Sequence, residues 1–302
     1  VLETPKPFAT NSAGSQMFGP AGAAIWTAPT IDVRRNLLYV ATGNSYTRVP
    51  ADATDAIVAF DLDSGERKWV VQVRADDNWQ GGCTGSEIGN CPSPLGPDFD
   101  FRTPPVLQTL DEGRQVIVAG SKSGFLYAFD PDHSGKILWK VKLGQGAAIK
   151  GGVFGPAVDG RYIYCSGSRA PARPGGEIVG ETVALDAATG RTVWHTPNPG
   201  KGCGWGADGC SEAQKSPLAV IQGFVFAGAL DGHVRAYRTD NGDIVWDFDT
   251  GHAFSAVNGG GATGGAIGDG GQVVADGMLF VNSGSRYGRS GNALIAFSVD
   301  GK

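Results

Sequence analysis

Short apolar patterns that predict β-strands recur along the whole chain, and each is followed by a polar turn. The clearest of these stretches cover residues 37–42, 116–120, 162–166, 224–228 and 278–282. They are rich in β-branched and aromatic residues, which favour strands. The sequence shows no convincing helical period of apolar residues. The pattern therefore predicts an all-β fold.

Each apolar stretch is followed by a copy of one repeated unit, A-x-D-x-x-(S/T)-G-x-x-x-W, which is clearest over residues 59–69. Further copies end at Trp139, Trp194 and Trp246, so that successive Trp residues are 70, 55 and 52 positions apart, and a fifth copy begins at Ala296. Repeats of this kind, with four short strands each, are typical of propeller blades. We therefore predict a β-propeller of four-stranded antiparallel blades, forming a single domain over residues 1–302.

The composition excludes several classes of protein. The 48 glycines without low-complexity runs fit many tight turns. A net charge of -5 favours neither nucleic acid nor an anionic membrane surface as a partner. No apolar run approaches the roughly 18 residues of a membrane-spanning helix.

The five cysteines suggest disulfides rather than a metal site. Cys83 and Cys91 bracket one Gly-rich polar loop, and Cys203 and Cys210 bracket another; neither pair has a zinc or redox spacing. Two loop disulfides and an oxidising compartment are favoured over free thiols. Cys165 lies in a strand pattern and is expected to be buried and unpaired.

Two features indicate that the repeats belong to a larger array. Residues 1–24 are rich in Pro, Gly and Ser without a period, and are expected to be a connecting segment. Strand signals then begin at Ile25, and the chain ends inside its fifth repeat, so terminal closure of the array is not supplied. We expect a segment of a larger propeller, with any export signal removed or outside this chain.

The repeated motif resembles the tryptophan-docking motif of pyrroloquinoline quinone (PQQ) dehydrogenases, a family of eight-bladed propellers. Residues 26–29 and 38–44 resemble the segments that carry the cofactor-stacking Trp and a metal-binding Asn, and residues 120–127 resemble its K-x-G-x-x-Y segment. Residues 83–101, 231–237 and 249–259 look most like the polyvinyl-alcohol dehydrogenase branch. The resemblance implies about five blades of an eight-bladed quinoprotein propeller.

The resemblance also implies roles for individual residues. Trp26 would stack on the flat quinone, and Lys122 would bond the quinone oxygens and stabilise negative charge on them. Asn44 would offer an amide oxygen to Ca²⁺, which prefers oxygen ligands. Asn258, in a Gly-rich loop, is a further candidate for cofactor binding. Each of these residues could instead have an ordinary packing or turn role.

At the position of the catalytic base, the sequence departs from the family pattern W-D-x-D. Gln80 follows Trp79, and an insertion with Cys83 and Cys91 separates it from Asp98 and Asp100. We place the base at Asp98, with Asp77 as the alternative. Asp98 and Asp100, two positions apart, would both reach the metal.

Two functions from different classes follow. The first is PQQ- and calcium-dependent oxidation of a secondary alcohol, including a polymeric one, with electron transfer to a cytochrome c outside the cytoplasm, in the periplasm or secreted. No CxxCH motif occurs, so any haem c would lie in a domain absent from this chain. The alternative is a non-catalytic propeller that binds proteins as an outer-membrane assembly scaffold.

Overall fold

The computed structural model describes residues 3–83, 89–146, 152–169, 179–200, 202–206, 208 and 210–299. Its regular structure is almost entirely β, as predicted. The helical structure in these ranges is one 3-10 turn, Pro131–His133. The same ranges hold no helix with the length and apolarity needed to span a membrane.

A two-stranded hairpin precedes the blades, where the sequence predicted only a connecting segment. Its strands are β1 (Lys6–Thr10) and β2 (Gln16–Gly19), paired antiparallel. The prediction that strand structure begins at Ile25 is also wrong, because residues 20–29 lie outside the named strands.

Four sheets of four antiparallel strands follow, and in each the strands pair in sequence order. Blade 1 contains β3 (Thr30–Asp32), β4 (Leu37–Ala41), β5 (Ala56–Asp61) and β6 (Arg67–Gln72). Blade 2 contains β7 (Val106–Thr109), β8 (Gln115–Gly120), β9 (Phe125–Asp130) and β10 (Lys136–Lys142). Blade 3 contains β11 (Ala157–Val158), β12 (Tyr162–Arg169), β13 (Val179–Asp186) and β14 (Thr192–Pro197). Blade 4 contains β15 (Ala219–Ile221), β16 (Phe224–Gly228), β17 (His233–Arg238) and β18 (Ile244–Asp249).

A fifth blade has three strands in the described residues. A hairpin of β19 (Ala253–Ser255) and β20 (Gly261–Thr263) leads into β21 (Gln272–Ala275), β22 (Met278–Ser283) and β23 (Ala293–Ser298). The sequence predicted a loop where the hairpin lies. The five apolar stretches of the sequence coincide with the second strands of the five blades, which confirms the repeat.

The Trp of each motif sits at a β-bulge between the third and fourth strands of its blade. In blade 1, Ala59 pairs with Trp69 while Phe60 pairs with Arg67, which leaves Lys68 as the extra residue. The same register shift precedes the other three Trp residues. The Ala and the Trp of the motif are thus cross-strand partners, and the small buried Ala leaves room for the large ring.

Each of three Trp rings lies against a glycine turn of the next blade. These turns have positive φ, which glycine adopts without strain. They also need glycine for space, because a Cβ added at Gly135 would lie 2.5 Å from the Trp69 ring. The pairs are Trp69 with Gly135, Trp139 with Gly190, and Trp194 with Gly242. Trp246 instead packs edge-on against Phe297 of blade 5, with ring centroids 5.1 Å apart.

The first strand of each blade lies innermost. β3 contacts β7, β11 contacts β15, and β15 contacts β21. Because successive strands run antiparallel, the loop before a first strand and the loop after a second strand emerge at the same end of the blade. Loops of these two kinds from different blades therefore meet.

Both predicted disulfides are present. The Cα atoms of Cys83 and Cys91 are 5.6 Å apart, and those of Cys203 and Cys210 are 5.7 Å apart. Cys165 is buried and unpaired. Burial raises the pKa of its thiol, so it is inert as a nucleophile.

We predict that Trp194→Ala lowers the free energy of unfolding by about 3–5 kcal/mol, because it removes a buried ring. The ring packs on Tyr164 and Tyr237, and its Nε1 donates a hydrogen bond to the carbonyl of Thr239. Denaturant unfolding measures the change. The control is Val193→Ala, an exposed position on the same strand, which should change the value by less than about 0.5 kcal/mol.

Alkylation of the chain unfolded without reductant should modify one cysteine, Cys165, and alkylation after reduction should modify all five. The physical reason is that a disulfide sulfur does not react with an alkylating agent. Mass spectrometry of the intact chain counts the added groups. Three or more modified cysteines without reductant would show that at least one disulfide does not form.

Candidate active site

The predicted site residues lie mainly in loops at one end of blades 1 and 2. Trp26 precedes β3, and Asn44 follows β4. Asp98 and Asp100 precede β7, and Lys122 follows β8. All are therefore at the end where loops before first strands and after second strands meet.

Lys122 forms a buried ion pair with two carboxylates. Its Nζ lies 2.8 Å from Oδ1 of Asp98 and 2.6 Å from Oδ1 of Asp100. The backbone N–H of Lys122 also donates to the carbonyl of Asp100 at 3.1 Å. All three side chains are buried, so water screens this charge group weakly.

Trp26 is tied to the same group by its indole nitrogen. Its Nε1 donates a hydrogen bond of 3.1 Å to Oδ2 of Asp100. The side chain is nevertheless 57% exposed, unlike the Trp rings that dock between blades. Gly43 permits this arrangement, because a Cβ there would lie 2.8 Å from the indole nitrogen. An anchored ring with an open face is suited to stacking on a flat ligand.

Asp77 holds the loop that carries Asp98. Its Oδ1 accepts the backbone N–H of Asp98 at 3.0 Å, and its Oδ2 accepts that of Phe99 at 2.5 Å. The insertion between them is closed at its base, because the N–H of Gly96 donates to the carbonyl of Asn78 at 2.7 Å. Asp98 itself has φ of +62°, in the left-handed region. These contacts direct the Asp98 side chain to Lys122.

Burial and neighbouring charges shift the pKa values in this group. Burial raises the pKa of Asp98, Lys122 opposes the shift, and Asp100 and Asp77 add to it. Burial would lower the pKa of Lys122, but Asp100 and Asp98 raise it overall, so the ammonium stays charged. A carboxylate with a raised pKa beside a fixed cation is a suitable proton acceptor.

Sequence reasoning missed a fourth carboxylate, Asp55. It is buried, and neither of its oxygens has a hydrogen-bond partner. Burial, followed by the charges of Asp77 and Asp100, raises its pKa to about 9. The available signal was a charged residue directly before the apolar run of residues 56–60, because burying a carboxylate without a partner is costly and therefore suggests a functional role.

The two asparagines have different positions. Asn44 is buried, and its Nδ2 donates to the carbonyls of Ser45 and Trp79, each at 2.7 Å. It directly follows Gly43 and so borders the Trp26–Asp100 contact. Asn258 lies in the exposed turn between β19 and β20, where its Oδ1 accepts the N–H of Gly260 at 3.2 Å. The structure does not bring it to the other site residues.

The donors are of the kind that a hard cation prefers, since carboxylate and amide oxygens predominate. The Lys122 ammonium already lies between two of the carboxylates, and the oxygens of the buried Asp55 have no hydrogen-bond partner. Among the residues that the structure describes, however, no three His, Cys, Asp or Glu side chains are arranged to hold a metal ion. The described part of the chain thus offers oxygen donors of the right kind but no complete metal site.

Two protein-family models match the chain. One, described as the β-propeller domain of glucose/ethanol/alcohol dehydrogenases, matches residues 4–155. The other, described as outer membrane protein assembly factor BamB, matches residues 122–285. The first model covers Lys122 and the residues joined to it, Asp98, Asp100 and Trp26 (the Lys122 group).

Curated relatives match almost the whole chain. A polyvinylalcohol dehydrogenase of a Pseudomonas species is 42% identical over 99% of this chain and 48% of its own length. One from Sphingopyxis sp. (strain 113P3) is 41% identical over 99% of this chain and 48% of its own length. The chain therefore spans about half the length of these relatives.

A solved structure shares the fold. The quinohemoprotein alcohol dehydrogenase from Comamonas testosteroni superposes with a TM-score of 0.56 at 18% identity, over 90% of this chain and 45% of that chain. At this identity the likeness concerns the fold alone. The family model over residues 4–155, which include Trp26 and Lys122, shows that this chain belongs to the PQQ-dependent alcohol dehydrogenase family of β-propellers.

Proposed function

We propose that this chain carries part of the quinone site of a PQQ- and calcium-dependent alcohol dehydrogenase. The observation that carries the proposal is the group in which Lys122 bridges Asp98 and Asp100 while Asp100 holds Trp26. It combines an open aromatic face, a buried cation and a carboxylate of raised pKa. The five blades would belong to an eight-bladed propeller.

In this proposal, Asp98 acts as the base. Its carboxylate takes the hydroxyl proton of the alcohol, which is why a raised pKa helps at neutral pH. When bound, the quinone would be the oxidant that accepts hydride from the alcohol carbon, so that the secondary alcohol becomes a ketone. Lys122 stabilises the negative charge that develops on the quinone oxygens. Asp77 keeps Asp98 in place through the backbone, and this contact supports a positioning role for it rather than that of the base.

Asn44, Asp98 and Asp100 are the proposed calcium ligands. They supply fewer oxygens than the six to eight that Ca²⁺ prefers, so water or groups outside the described residues would complete the shell. Bound calcium would act as a Lewis acid on the quinone carbonyl. Asn258 remains a proposed contact of the cofactor, although its turn lies apart from the other residues.

The substrate class follows from the relatives. Both curated relatives at about 40% identity bear the name polyvinylalcohol dehydrogenase. We therefore propose a secondary alcohol, including the polymeric kind, as substrate and a cytochrome c as electron acceptor. The two disulfides support a periplasmic or secreted location.

A second candidate function is supported by a separate family match. Residues 122–285 match the model described as outer membrane protein assembly factor BamB. A protein-binding scaffold would use the blades without a quinone. Quinone binding separates the two functions, because a scaffold needs neither the exposed Trp26 ring nor the Lys122 group.

In the full gene product that contains this chain, Asp98→Asn should remove most alcohol oxidation while PQQ stays bound. The amide cannot accept the proton, whereas the ring and the cation that hold the quinone remain. Dye-linked oxidation of a secondary alcohol, after reconstitution with PQQ and Ca²⁺, measures turnover. Asp77→Asn is the matched comparison: if it abolished turnover while Asp98→Asn did not, the base would be Asp77. If neither variant lost activity, neither Asp98 nor Asp77 would be the base; if the wild-type protein showed no PQQ-dependent oxidation, the dehydrogenase proposal would fail.

Trp26→Ala should weaken PQQ binding by about tenfold or more, because it removes the stacking surface. Trp26→Phe should lose less, since a ring remains. Lys122→Ala should weaken binding and slow quinone reduction together, while Lys140→Ala, an exposed lysine on β10, should do neither. Isothermal titration calorimetry of the same gene product with PQQ and Ca²⁺ measures the affinity. Absence of PQQ binding by the wild-type protein would favour the scaffold.

A further inference from the structure

A cavity of about 230 Å³ lies between the hairpin β1–β2 and the insertion that carries Cys83 and Cys91. The hairpin forms one wall and the insertion forms the other, and Arg48, from the loop after β4, completes the lining. No lining residue belongs to the Lys122 group, and the proposed reaction uses none of them. The cavity is therefore a feature separate from the quinone site.

The two walls are fastened to each other. Nδ2 of Asn11 in the hairpin donates to Oδ1 of Asn90 in the insertion at 2.8 Å, although 79 positions separate the two residues. The backbones also approach closely here, because a Cβ added at Gly89 would lie 2.9 Å from Oγ of Ser12. The Cys83–Cys91 disulfide crosslinks the insertion beside this contact. These contacts hold the cavity walls in a defined arrangement.

The cavity lies at the same end of the blades as the Lys122 group. The loop after β4 carries both Asn44 and Arg48, and the loop before β7 carries both Ser93 and Asp98. Five residues span at most about 18 Å when fully extended, so Ser93 lies within that distance of the proposed base. One long, flexible ligand can therefore reach both the cavity and the base.

The lining combines hydroxyl groups with apolar surface. The hydroxyls come from Thr10, Ser12 and Ser93, and the apolar surface includes the side chains of Phe8 and Met17. A chain in which CH₂ groups alternate with CH–OH groups presents the same two kinds of surface. The volume is below the roughly 300–1,000 Å³ of ordinary small-molecule sites, which suits a slender chain segment rather than a bulky rigid ligand.

Arg48 supplies free hydrogen-bond donors to this lining. Its side chain is exposed, and within the described ranges it has neither a hydrogen-bond partner nor an ion-pair partner. A guanidinium carries five N–H donors, and a hydroxyl oxygen accepts hydrogen bonds. Hydrogen bonds from a charged donor are stronger than those between neutral groups. Arg48 is thus suited to hold a hydroxyl-bearing ligand without requiring that ligand to be charged.

We propose that this cavity is a subsite for a polymeric alcohol, which holds one stretch of the chain while another hydroxyl of the same chain lies at Asp98. The role of Asp98 rests on the proposed function, whereas binding in the cavity does not. A ligand confined to the cavity contacts no residue of the Lys122 group, so a small alcohol at the base gains nothing from it. The subsite therefore favours polymeric over small alcohols.

Binding is tested by isothermal titration calorimetry of the full gene product that contains this chain, prepared without PQQ so that no alcohol is oxidised. Polyvinyl alcohol should bind, whereas polyethylene glycol, which lacks side hydroxyls, and dextran, a polysaccharide, should not. Thr10→Trp should weaken binding by about tenfold or more, because the ring fills the cavity from an exposed position on β1. The matched control is Ser15→Trp, which places the same ring in the adjoining turn outside the lining and should change the affinity less than twofold.

Kinetics of the gene product reconstituted with PQQ and Ca²⁺ tests the role of Arg48. Arg48→Gln should raise the ratio of KM for polyvinyl alcohol to KM for butan-2-ol by about fivefold, with kcat for the polymer unchanged, because it removes binding that is uniform along the reaction. Arg34→Gln is the matched control: it removes the same charge from the exposed turn between β3 and β4, at the opposite end of blade 1, and should change the ratio less than twofold. A general structural defect would instead raise both KM values or lower kcat.

Circular dichroism compares the folding of the two Trp variants, and if Thr10→Trp does not fold, the Arg48 and Arg34 variants decide. The proposal is overturned if the wild-type protein does not bind polyvinyl alcohol or binds dextran or polyethylene glycol equally well. Equal losses in a variant and its matched control would overturn it too. Polymer binding that Thr10→Trp abolishes, in a protein without PQQ-dependent oxidation, would leave the subsite standing while the dehydrogenase function fails. Oxidation of butan-2-ol by a protein that does not bind the polymer would show the reverse.

Discussion

The structure depends on the contact between a Trp ring of one blade and a glycine turn of the next. The ring occupies space that a Cβ would need, so the contact admits no other residue in the turn without displacement. Because the contact repeats from blade 1 to blade 4, it fixes the position of each blade relative to its neighbour. Because the blades are fixed, the positions of the loops at their ends are fixed as well. Trp26 before blade 1 can therefore reach Asp100 before blade 2.

At the ends of blades 1 and 2, buried carboxyl groups outnumber the buried cation that pairs with them. Asp55, Asp77, Asp98 and Asp100 are all buried, and Lys122 is the buried cation paired with two of them. Burial, and after it the charges of Asp77 and Asp100, raise the pKa of Asp55 to about 9. Since its pKa is raised in the folded chain, its contribution to stability is complete at acidic pH and is lost as the pH rises towards 9.

Much of the fold could be predicted because one local pattern repeats. The second strand of every blade and each docking Trp were evident from apolar runs and from the spacing of Gly and Trp. The hairpins β1–β2 and β19–β20 were not, because their strands are only three to five residues long and show no clear alternation of apolar residues. The bulge before each Trp was equally hidden, since it adds no unusual residue type.

The site was predictable only in part. Asp98, Asp100, Lys122 and Trp26 came from the family resemblance, and the structure brings them together. Asp55 and Arg48 belong to no motif, and their environments arise from segments far apart in the chain. Asn258 shows the reverse: Gly-rich sequence around an Asn suggested a ligand loop, whereas it forms an exposed turn.

The insertion that divides the W-D-x-D pattern has a consequence for how such sites can change. Its two ends are joined at the base by Asp77 and Asn78, which bind the backbone of residues 96–99, and its interior is crosslinked by Cys83 and Cys91. The contacts that hold Asp98 thus lie at the base of the segment, apart from the residues between Cys83 and Cys91. Sequence changes in this segment can therefore alter the surroundings of the proposed base, Asp98, and with them the proposed range of alcohols, while Asp98 keeps its position.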